Sequence, residues 1–322
     1  MPVRSGRRAS RRRFRVGSAG SGEAAISEEG EPVVAAGSEG LSPAAGPREA
    51  LSIAIASGKG GTGKSFLATN LALVAARRAC RCTLVDADYG LAADHYLLGV
   101  TPRRTLQDLI EGRAPAALLR RPGPLGLELI AGATGVPELA GLGRAELLQM
   151  AHALGEWARD RDLLILDTGA GIQMQVIVTL LAADVVVLVV QPEIASLTDA
   201  YAVTKCLARR PGPRPRIGVV VNRAHDAAVA AAAFERLADV AQRFLGLPLH
   251  DFGFVHDEPA VTPRRLGQPP LVLTHPECRT ALEIGAILDR IGQVTQGLGP
   301  RPVRTPQQGI TARMVEQLPR PA

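Results

Sequence analysis

The sequence predicts an α/β fold, in which helices cover both faces of a mostly parallel sheet. Short apolar strands alternate with helical stretches over residues 51–295, and this alternation is typical of parallel sheets buried between helices. A glycine-rich loop joins the first strand to the first helix. Three strands run directly into acidic or amide side chains, at the carboxyl ends where open α/β sheets bind ligands.

The predicted elements follow from apolar runs and from helical spacing. Leu163 to Leu166 and Val185 to Val190 are continuously apolar, as strands buried on both faces are. Leu67, Leu71 and Val74 recur at the spacing of one helix face. In chain order, strands are predicted over residues 51–56, 82–85, 127–131, 163–166, 185–190, 217–221 and 252–254. Helices are predicted over residues 66–78, 105–112, 146–159, 195–207, 227–245 and 281–295.

Composition divides the chain into a domain and two tails. Residues 1–48 are rich in Arg, Gly, Ser, Ala and Glu and nearly lack large apolar residues, so we expect them to be disordered. The predicted domain spans residues 49–297. Residues 298–322 are Pro- and Gln-rich, and we expect a flexible tail. Within that tail, Ile310, Met314 and Leu318 recur every four residues, which leaves a short amphipathic helix that touches a membrane as an alternative.

The positive charge of the chain is concentrated at its N-terminus. Residues 1–22 hold seven arginines and no acidic residue, so the remaining 30 basic residues nearly balance the 31 acidic ones. The arginine-rich run could contact DNA or an anionic membrane, or could be solvated without a partner, and both alternatives stay open. Aromatic residues make up 3% of the chain, which disfavours a nucleic-acid module built on base stacking.

Cysteine usage and hydropathy exclude several classes. The four cysteines form no C-x-x-C pair and have no histidine at ligand spacing, so neither a zinc site nor a disulfide framework is indicated. No apolar segment follows the basic N-terminus, and the longest apolar stretch, residues 180–190, is interrupted by Asp184 and is too short to span a bilayer. We expect a cytoplasmic protein, with peripheral contact at the inner face of the membrane as a further alternative.

The glycine-rich loop is the most specific motif. Its residues from Gly58 to Ser65 fit the G-x-x-x-x-G-K-[ST] spacing of a phosphate-binding loop, in the required strand–loop–helix context. Glycines let backbone N–H groups turn toward an anion, and the helix N-terminus adds a positive dipole end. The predicted nucleotide-binding residues of the loop are Gly58, Gly60, Gly61, Thr62, Gly63, Lys64 and Ser65. Lys64 is expected to reach the β/γ-phosphates, and the Ser65 hydroxyl to ligate Mg²⁺.

The use of lysine supports this interpretation. Of the 37 basic residues, 34 are arginines, and the three lysines are Lys59, Lys64 and Lys205. Two of them lie in the loop, where a compact ammonium on a flexible stem suits phosphate better than a guanidinium fork.

Side chains at three further strand ends complete the predicted site. Asp86 and Asp88 follow the second strand and are candidates for contacts with Mg²⁺-bound water and with the attacking water. Asp167 ends a buried strand, as the acid of a Walker B site does. Asn222 follows the strand at 217–221 and could read an adenine edge.

Several stretches resemble known ATPases. The pattern Lys59 to Ser65 resembles the deviant Walker A loop of the dimerising MinD/ParA family of P-loop ATPases. Residues 86–92, 167–172 and 192–201 are similar to the flagellar-number regulators of the FlhG group, also called FleN or YlxH, whereas MinD proteins usually have Ser-Pro at positions 168 and 169. The resemblance covers residues 51–291.

The resemblance implies a role for each matching residue. Lys59 would act in trans on the nucleotide of the partner subunit, and Lys64 and Ser65 would bind phosphate and Mg²⁺. Asp86 would support the metal shell, Asp88 would position the attacking water, Asp167 would be the Walker B acid, and Asn222 and Asp257 would lie near the adenine. The implied cofactors are ATP and Mg²⁺. The implied partners are a second copy of the chain and an SRP-type GTPase of the FlhF kind, or another flagellar protein.

The resemblance implies an ATP-dependent, dimerising switch whose hydrolysis of ATP is slow and stimulated by a partner. Such a switch would control the placement or number of a cellular structure, with flagella as the first candidate. A MinD-like division-site ATPase or a ParA-like partitioning ATPase are the alternatives. ParA-like DNA binding would need basic patches on the body, which is neutral, and an Mrp-type iron–sulfur carrier would need paired cysteines. A scaffold that does not hydrolyse ATP would not need Asp88.

Three departures from the FlhG pattern stand out, one of which is that the C-terminal amphipathic membrane helix of the group is at best vestigial here. The usual DLGLANVD stretch reads differently over residues 88–95, which changes the surface after the second strand. An arginine-rich segment also stands where the group has its N-terminal activator of the partner GTPase.

Overall fold

The computed structural model describes residues 48–90, 92–133, 141–257, 268–303 and 308–319. The strands are β1 (Arg48–Glu49), β2 (Leu51–Ala56), β3 (Cys82–Ala87), β4 (Arg120–Pro122), β5 (Glu128–Ile130), β6 (Leu163–Thr168), β7 (Val185–Val190), β8 (Arg216–Ala224), β9 (His250–His256) and β10 (Arg301–Pro302). The helices are α1 (Lys64–Arg77), α2 (Asp94–Leu98), α3 (Leu106–Ile110), α4 (Arg144–Ala158), α5 (Met174–Ala182), α6 (Ile194–Arg209), α7 (Ala227–Leu245), α8 (Leu271–Thr274), α9 (Arg279–Thr295) and α10 (Ile310–Glu316).

Eight strands form the main sheet in the order β4-β5-β3-β6-β2-β7-β8-β9. All neighbouring pairs are parallel except β4 and β5. The two short strands β1 and β10 form a separate antiparallel pair. The predicted mostly parallel sheet is therefore confirmed, and the phosphate-loop strand β2 lies near its centre.

Side chains alternate across the central strands and build one apolar core on each face. Leu51, Ile53 and Ile55 of β2 pack with apolar residues of α1 and α9. Ala54 and Ala56 face the other way and join a core that includes α4, α5, α6 and α10. Both faces are thus covered, which explains why the strands read as continuous apolar runs rather than as alternating patterns.

The sequence analysis missed α5. All of its residues except Met174 are buried, so the helix has no polar face and no helical periodicity for sequence reasoning to detect. The edge strand β4 and the short helices α2 and α8 were also missed, because elements this short carry little pattern.

The prediction of a flexible tail over residues 298–322 is wrong for the described parts of that segment. Strand β10 pairs with β1, and Ile310, Met314 and Leu318 are buried in the core formed with α4 and α5. The four-residue spacing does mark an amphipathic helix, but its apolar face packs against the domain and not against lipid.

Polar contacts fix this C-terminal helix in place. The Thr311 hydroxyl donates to the Ala151 carbonyl of α4 across 2.9 Å, and Arg313 Nε donates to the Ala182 carbonyl at the end of α5 across 2.7 Å. Arg313 also lies 3.3 Å from a carboxylate oxygen of Asp184. The helix is therefore an integral part of the domain.

The predicted disordered segment, residues 1–48, lies outside the described residues except for Arg48. Within the described ranges, no helix has both the length and the apolar character needed to cross a membrane.

Candidate functional site

The phosphate loop connects β2 to α1. Gly61 and Gly63 have φ angles of 75° and 97°, in the left-handed region that favours glycine. Gly63 is the N-cap of α1, and within the described ranges no side chain caps the first N–H groups of the helix. These donors and the positive end of the helix dipole remain available to an anion.

Two glycines of the loop are also required by close packing. A Cβ atom on Gly58 would lie 2.2 Å from the carbonyl carbon of Asp199, so helix α6 approaches the loop directly at this residue. A Cβ atom on Gly63 would lie 2.2 Å from Nδ2 of Asn222. Gly60, in contrast, has open space around it.

Hydrogen bonds tie the loop to the segment that follows β6. Gly171 N–H donates to the Ser57 carbonyl across 2.9 Å, and the Thr168 hydroxyl donates to the Ile55 carbonyl across 2.9 Å. The Ser57 hydroxyl donates to the Lys59 carbonyl across 2.6 Å. The segment after β6 is thus in direct hydrogen-bond contact with the start of the phosphate loop through Gly171 and Ser57.

The two loop lysines have different surroundings. Lys64 is buried at the start of α1, near Asp167; burial raises the pKa of the Asp167 carboxyl, and the charge of Lys64 partly opposes that rise. Lys59 is partly exposed, and its Nζ lies 3.0 Å from a carboxylate oxygen of Glu193, just before α6. Sequence analysis did not select Glu193, because 134 residues separate it from Lys59.

The sheet register brings two predicted acids together. Asp86 of β3 and Asp167 of β6 are directly paired across the strands, and both are fully buried. Asp94, the first residue of α2, joins them: ligand oxygens of Asp86, Asp94 and Asp167 all lie within 4.8 Å of one another. Sequence analysis missed Asp94, since nothing in the pattern of residues 88–95 marks it as buried.

Burial dominates the electrostatics of these carboxyls. Desolvation, followed by the nearby Asp167 carboxylate, raises the pKa of Asp86 to about 8. Desolvation raises the pKa of Asp167 to about 7, against the hydrogen bond from Ser65 and the charge of Lys64. Desolvation also raises the pKa of Asp94 well above its usual range. The three carboxyl groups thus lie so close together that ionisation of one disfavours ionisation of the others.

Asp88 lies at the rim of this cluster and is half-buried. Its backbone N–H donates to Asp86 Oδ1 across 3.4 Å, and its own Oδ1 accepts from Gly90 N–H across 3.2 Å. A Cβ atom on Gly169 would lie 3.6 Å from this Oδ1. The Asp88 carboxylate therefore faces the segment after β6 that is bonded to the phosphate loop.

Asn222 lies against the loop rather than at a distance from it. Its Nδ2 donates to the Thr62 carbonyl across 2.7 Å. Asp257 is exposed after β9, and its N–H donates to the Ala224 carbonyl across 3.0 Å. Contact of either residue with adenine stays a prediction.

Gly132 is a further site residue that sequence analysis missed. A Cβ atom there would lie 2.7 Å from the Asp86 carbonyl and 2.6 Å from the side chain of Ala92. The absence of a side chain lets the chain after β5 pack directly against Asp86.

The acid cluster (Asp86, Asp94 and Asp167) and the neighbouring Ser65 have the kind of ligand atoms that Mg²⁺ prefers. Ser65, Asp86 and Asp167 offer oxygen ligands only, as hard divalent cations require. Among the described residues, Asp94 Oδ2 and Asp167 Oδ1 are buried and have no hydrogen-bond partner. Buried carboxylate oxygens without partners are costly, so the residues fit a cation at this position.

The chain is similar in sequence to two named bacterial proteins. The antiactivator FleN of Pseudomonas aeruginosa is 34% identical over 249 residues, which cover 77% of this chain and 89% of that protein. The flagellum site-determining protein YlxH of Helicobacter pylori is 32% identical over 206 residues, which cover 64% of this chain and 69% of that protein. The resemblance to the FlhG group is thereby confirmed.

Solved structures and a family model point the same way. The cell division ATPase MinD of Pyrococcus furiosus superposes with a TM-score of 0.64 and 25% identity, covering 76% of this chain and 98% of that one. The family model described as CobQ/CobB/MinD/ParA nucleotide binding domain matches residues 53–263. The chain therefore belongs to the MinD/ParA family of nucleotide-binding domains.

Proposed function

We propose that the chain is an ATP-dependent molecular switch that dimerises, hydrolyses ATP slowly and is stimulated by a partner. The observation that carries the proposal is the contrast between the two loop lysines. Lys64 is buried within its own site, whereas Lys59 is partly exposed and paired with Glu193 on the surface. A surface ion pair of this kind contributes about 0–1 kcal/mol, so Lys59 can leave it for the nucleotide of a second chain.

The residues of one site divide the work of hydrolysis. The loop N–H groups and Lys64 bind and orient the phosphates, and Asp88 holds the attacking water in line. Ser65, Asp86 and Asp167 would hold Mg²⁺, which supplies charge neutralisation at the phosphates when bound. Phosphoryl transfer depends on such positioning and on charge stabilisation. Lys59 of the partner subunit adds a positive charge only in the dimer, so turnover depends on association.

The cellular role that we infer is control of the placement or number of a cellular structure, and the flagellum is the first candidate for that structure. The support is the similarity to FleN and YlxH, whose names refer to flagella or to the regulation of an activator. A MinD-like role in division-site placement remains the second candidate because MinD shares the fold.

The proposed partners are a second copy of the chain and either an SRP-type GTPase of the FlhF kind or another flagellar protein. The arginine-rich segment of residues 1–22 is a candidate contact to DNA or to anionic lipid through its charge. Either contact would place the switch at its site of action.

Light scattering and phosphate release with ATP and Mg²⁺ test the proposed function. The wild-type chain is expected to double its mass with ATP and to remain monomeric with ADP. Lys64→Ala should lose nucleotide binding, whereas Asp88→Ala should keep the ATP dimer and lose turnover. An Asp88→Ala protein that stays monomeric with ATP, or that retains full turnover, would contradict the assignment.

A further inference from the structure

Asp94 is a buried carboxylate that the phosphate-loop pattern does not require. It is the first residue of α2 and is fully buried. Its backbone N–H donates to Asp86 Oδ2 across 3.0 Å, which anchors the start of α2 against the metal-site acid. This hydrogen bond to Asp86 therefore places the Asp94 side chain beside the other two acids.

The Asp94 carboxylate has too few hydrogen-bond donors for a buried charge. Oδ2 has no partner among the described residues. Oδ1 lies 3.2 Å from the Thr69 hydroxyl, but that hydroxyl lies 2.6 Å from the Ser65 carbonyl as well. A hydroxyl has a single proton to donate, and the shorter contact goes to the Ser65 carbonyl. Both oxygens of Asp94 are thus left short of donors.

The charges around the cluster would not balance if all three carboxyl groups were ionised without a cation. Asp86, Asp94 and Asp167 bring three carboxylates within 4.8 Å, and Lys64 is the buried cation beside them. Removing an ionised carboxylate from water without a compensating partner is strongly unfavourable. A divalent cation would satisfy the unpartnered oxygens of Asp94 and Asp167 together and would offset the negative charge of the ionised carboxylates.

We propose that Asp94 is a third carboxylate of the metal site and that it lets the chain bind a divalent, oxygen-preferring cation before any nucleotide arrives. A phosphate-loop site that supplies only a hydroxyl and two acids relies on the nucleotide phosphates to bring and retain the metal. With Asp94 in place, the protein supplies enough negative charge by itself. The proposal concerns the metal position of the proposed ATPase, but its test needs no ATP.

Electron paramagnetic resonance of Mn²⁺ tests the proposal on the full-length, nucleotide-free chain. Free Mn²⁺ gives a six-line signal that binding suppresses, so a titration yields both stoichiometry and affinity. The wild-type chain should bind one Mn²⁺ per molecule, and excess Mg²⁺ should displace it. Asp94→Asn, which keeps the shape of the side chain, should weaken this binding about tenfold or more.

Asp226→Asn is the matched control. Asp226 caps α7 by accepting from Val229 N–H, a role that asparagine also fills, and it lies outside the acid cluster. This variant should bind Mn²⁺ as the wild type does. Thermal melts provide a second readout: Mn²⁺ should raise the melting temperature of the wild type and of Asp226→Asn, and should raise that of Asp94→Asn less.

Two results would overturn the proposal. Absence of stoichiometric Mn²⁺ binding to the nucleotide-free wild type would do so, whatever the folding of the variant. Equal Mn²⁺ affinity of the wild type and a folded Asp94→Asn would show that Asp94 is a protonated structural carboxyl. A parallel titration with ADP keeps the two proposals separate, because metal binding only with ADP would leave the nucleotide site intact and remove the role of Asp94.

Discussion

Nδ2 of Asn222 donates a hydrogen bond to the Thr62 carbonyl across 2.7 Å, directly beside Gly63. The two residues are 160 positions apart, and the contact joins the end of β8 to the phosphate loop. The missing side chain of Gly63 makes room for the amide, since a Cβ atom would lie 2.2 Å from it. Gly63 is therefore required for the φ angle of the N-cap and for this contact.

Gly63→Ala is expected to destabilise the protein even without nucleotide. The φ of 97° and the steric clash with Asn222 should together lower the free energy of unfolding by about 2 kcal/mol or more. Urea titration followed by fluorescence measures this, because Trp157 is the single tryptophan and is fully buried.

Gly60→Ala is the matched control for that variant. Nothing lies within 4 Å of the added Cβ atom, so the free energy of unfolding should change by no more than about 0.5 kcal/mol. Equal stabilities of the two variants would mean that Asn222 does not pack against the loop as described.

Met314→Ala tests whether the C-terminal helix belongs to the core. Met314 is fully buried, so truncation should lower the free energy of unfolding by about 2–5 kcal/mol. Glu316→Ala, on the exposed face of the same helix, should cost less than about 0.5 kcal/mol. A Met314→Ala protein as stable as the wild type in urea would restore the flexible-tail prediction.

Asp162 should contribute stability in a pH-dependent way. Its carboxylate accepts from the Arg81 guanidinium across 2.9 Å and from the Arg81 backbone N–H across 2.7 Å, and these bonds lower its pKa against the opposing effect of burial. A lowered folded-state pKa means that the contribution is complete above the unfolded-state pKa of about 4 and is lost as the pH falls through the folded-state value.

Asp162→Asn is therefore expected to cost about 1 kcal/mol at pH 7 and less at pH 3.5. Paired urea titrations of the variant and the wild type at the two pH values measure this difference. A difference that grows as the pH falls would contradict the assignment of the ion pair.

Deletion of residues 1–22 tests the role of the arginine-rich segment. If this segment binds DNA, its contacts are to phosphates, so the affinity of the full chain should fall steeply as salt rises. The shortened chain should lose the binding and keep its ATPase activity. Fluorescence anisotropy with labelled duplex DNA measures both affinities, and equal values would place the basic surface on the folded body.

Sequence reasoning was most successful where the signal is local. The spacing of Gly58 to Ser65 predicted the phosphate loop, and the apolar runs that end in Asp86 and Asp167 predicted two acids of the site. In the structure, pairing of the two strands places these acids side by side. Contacts between distant residues were not predictable. The pairing of Lys59 with Glu193 depends on how α6 packs against the loop.

The C-terminal helix and Asp94 show a different limit. The spacing of Ile310, Met314 and Leu318 revealed an apolar face, but an amphipathic pattern does not specify whether protein or lipid covers it. Asp94 lies in a stretch of mixed polarity, and its burial depends on Thr69 of α1 and Asp86 of β3. Only the packed structure brings the third carboxylate into the site.

Mixing two inactive variants tests most directly whether Lys59 acts on the partner's nucleotide. A Lys59→Ala chain keeps Asp88 and can receive Lys59 from its partner, whereas an Asp88→Ala chain can donate Lys59 but cannot hydrolyse its own ATP. In an equal mixture, half of the dimers should contain one complete site, so turnover should recover to about one quarter of the wild-type rate if pairing is random. Phosphate release from the mixture and from each variant alone measures this recovery. If Lys59 served its own site, no dimer would contain a complete site, and the mixture would stay as inactive as its components.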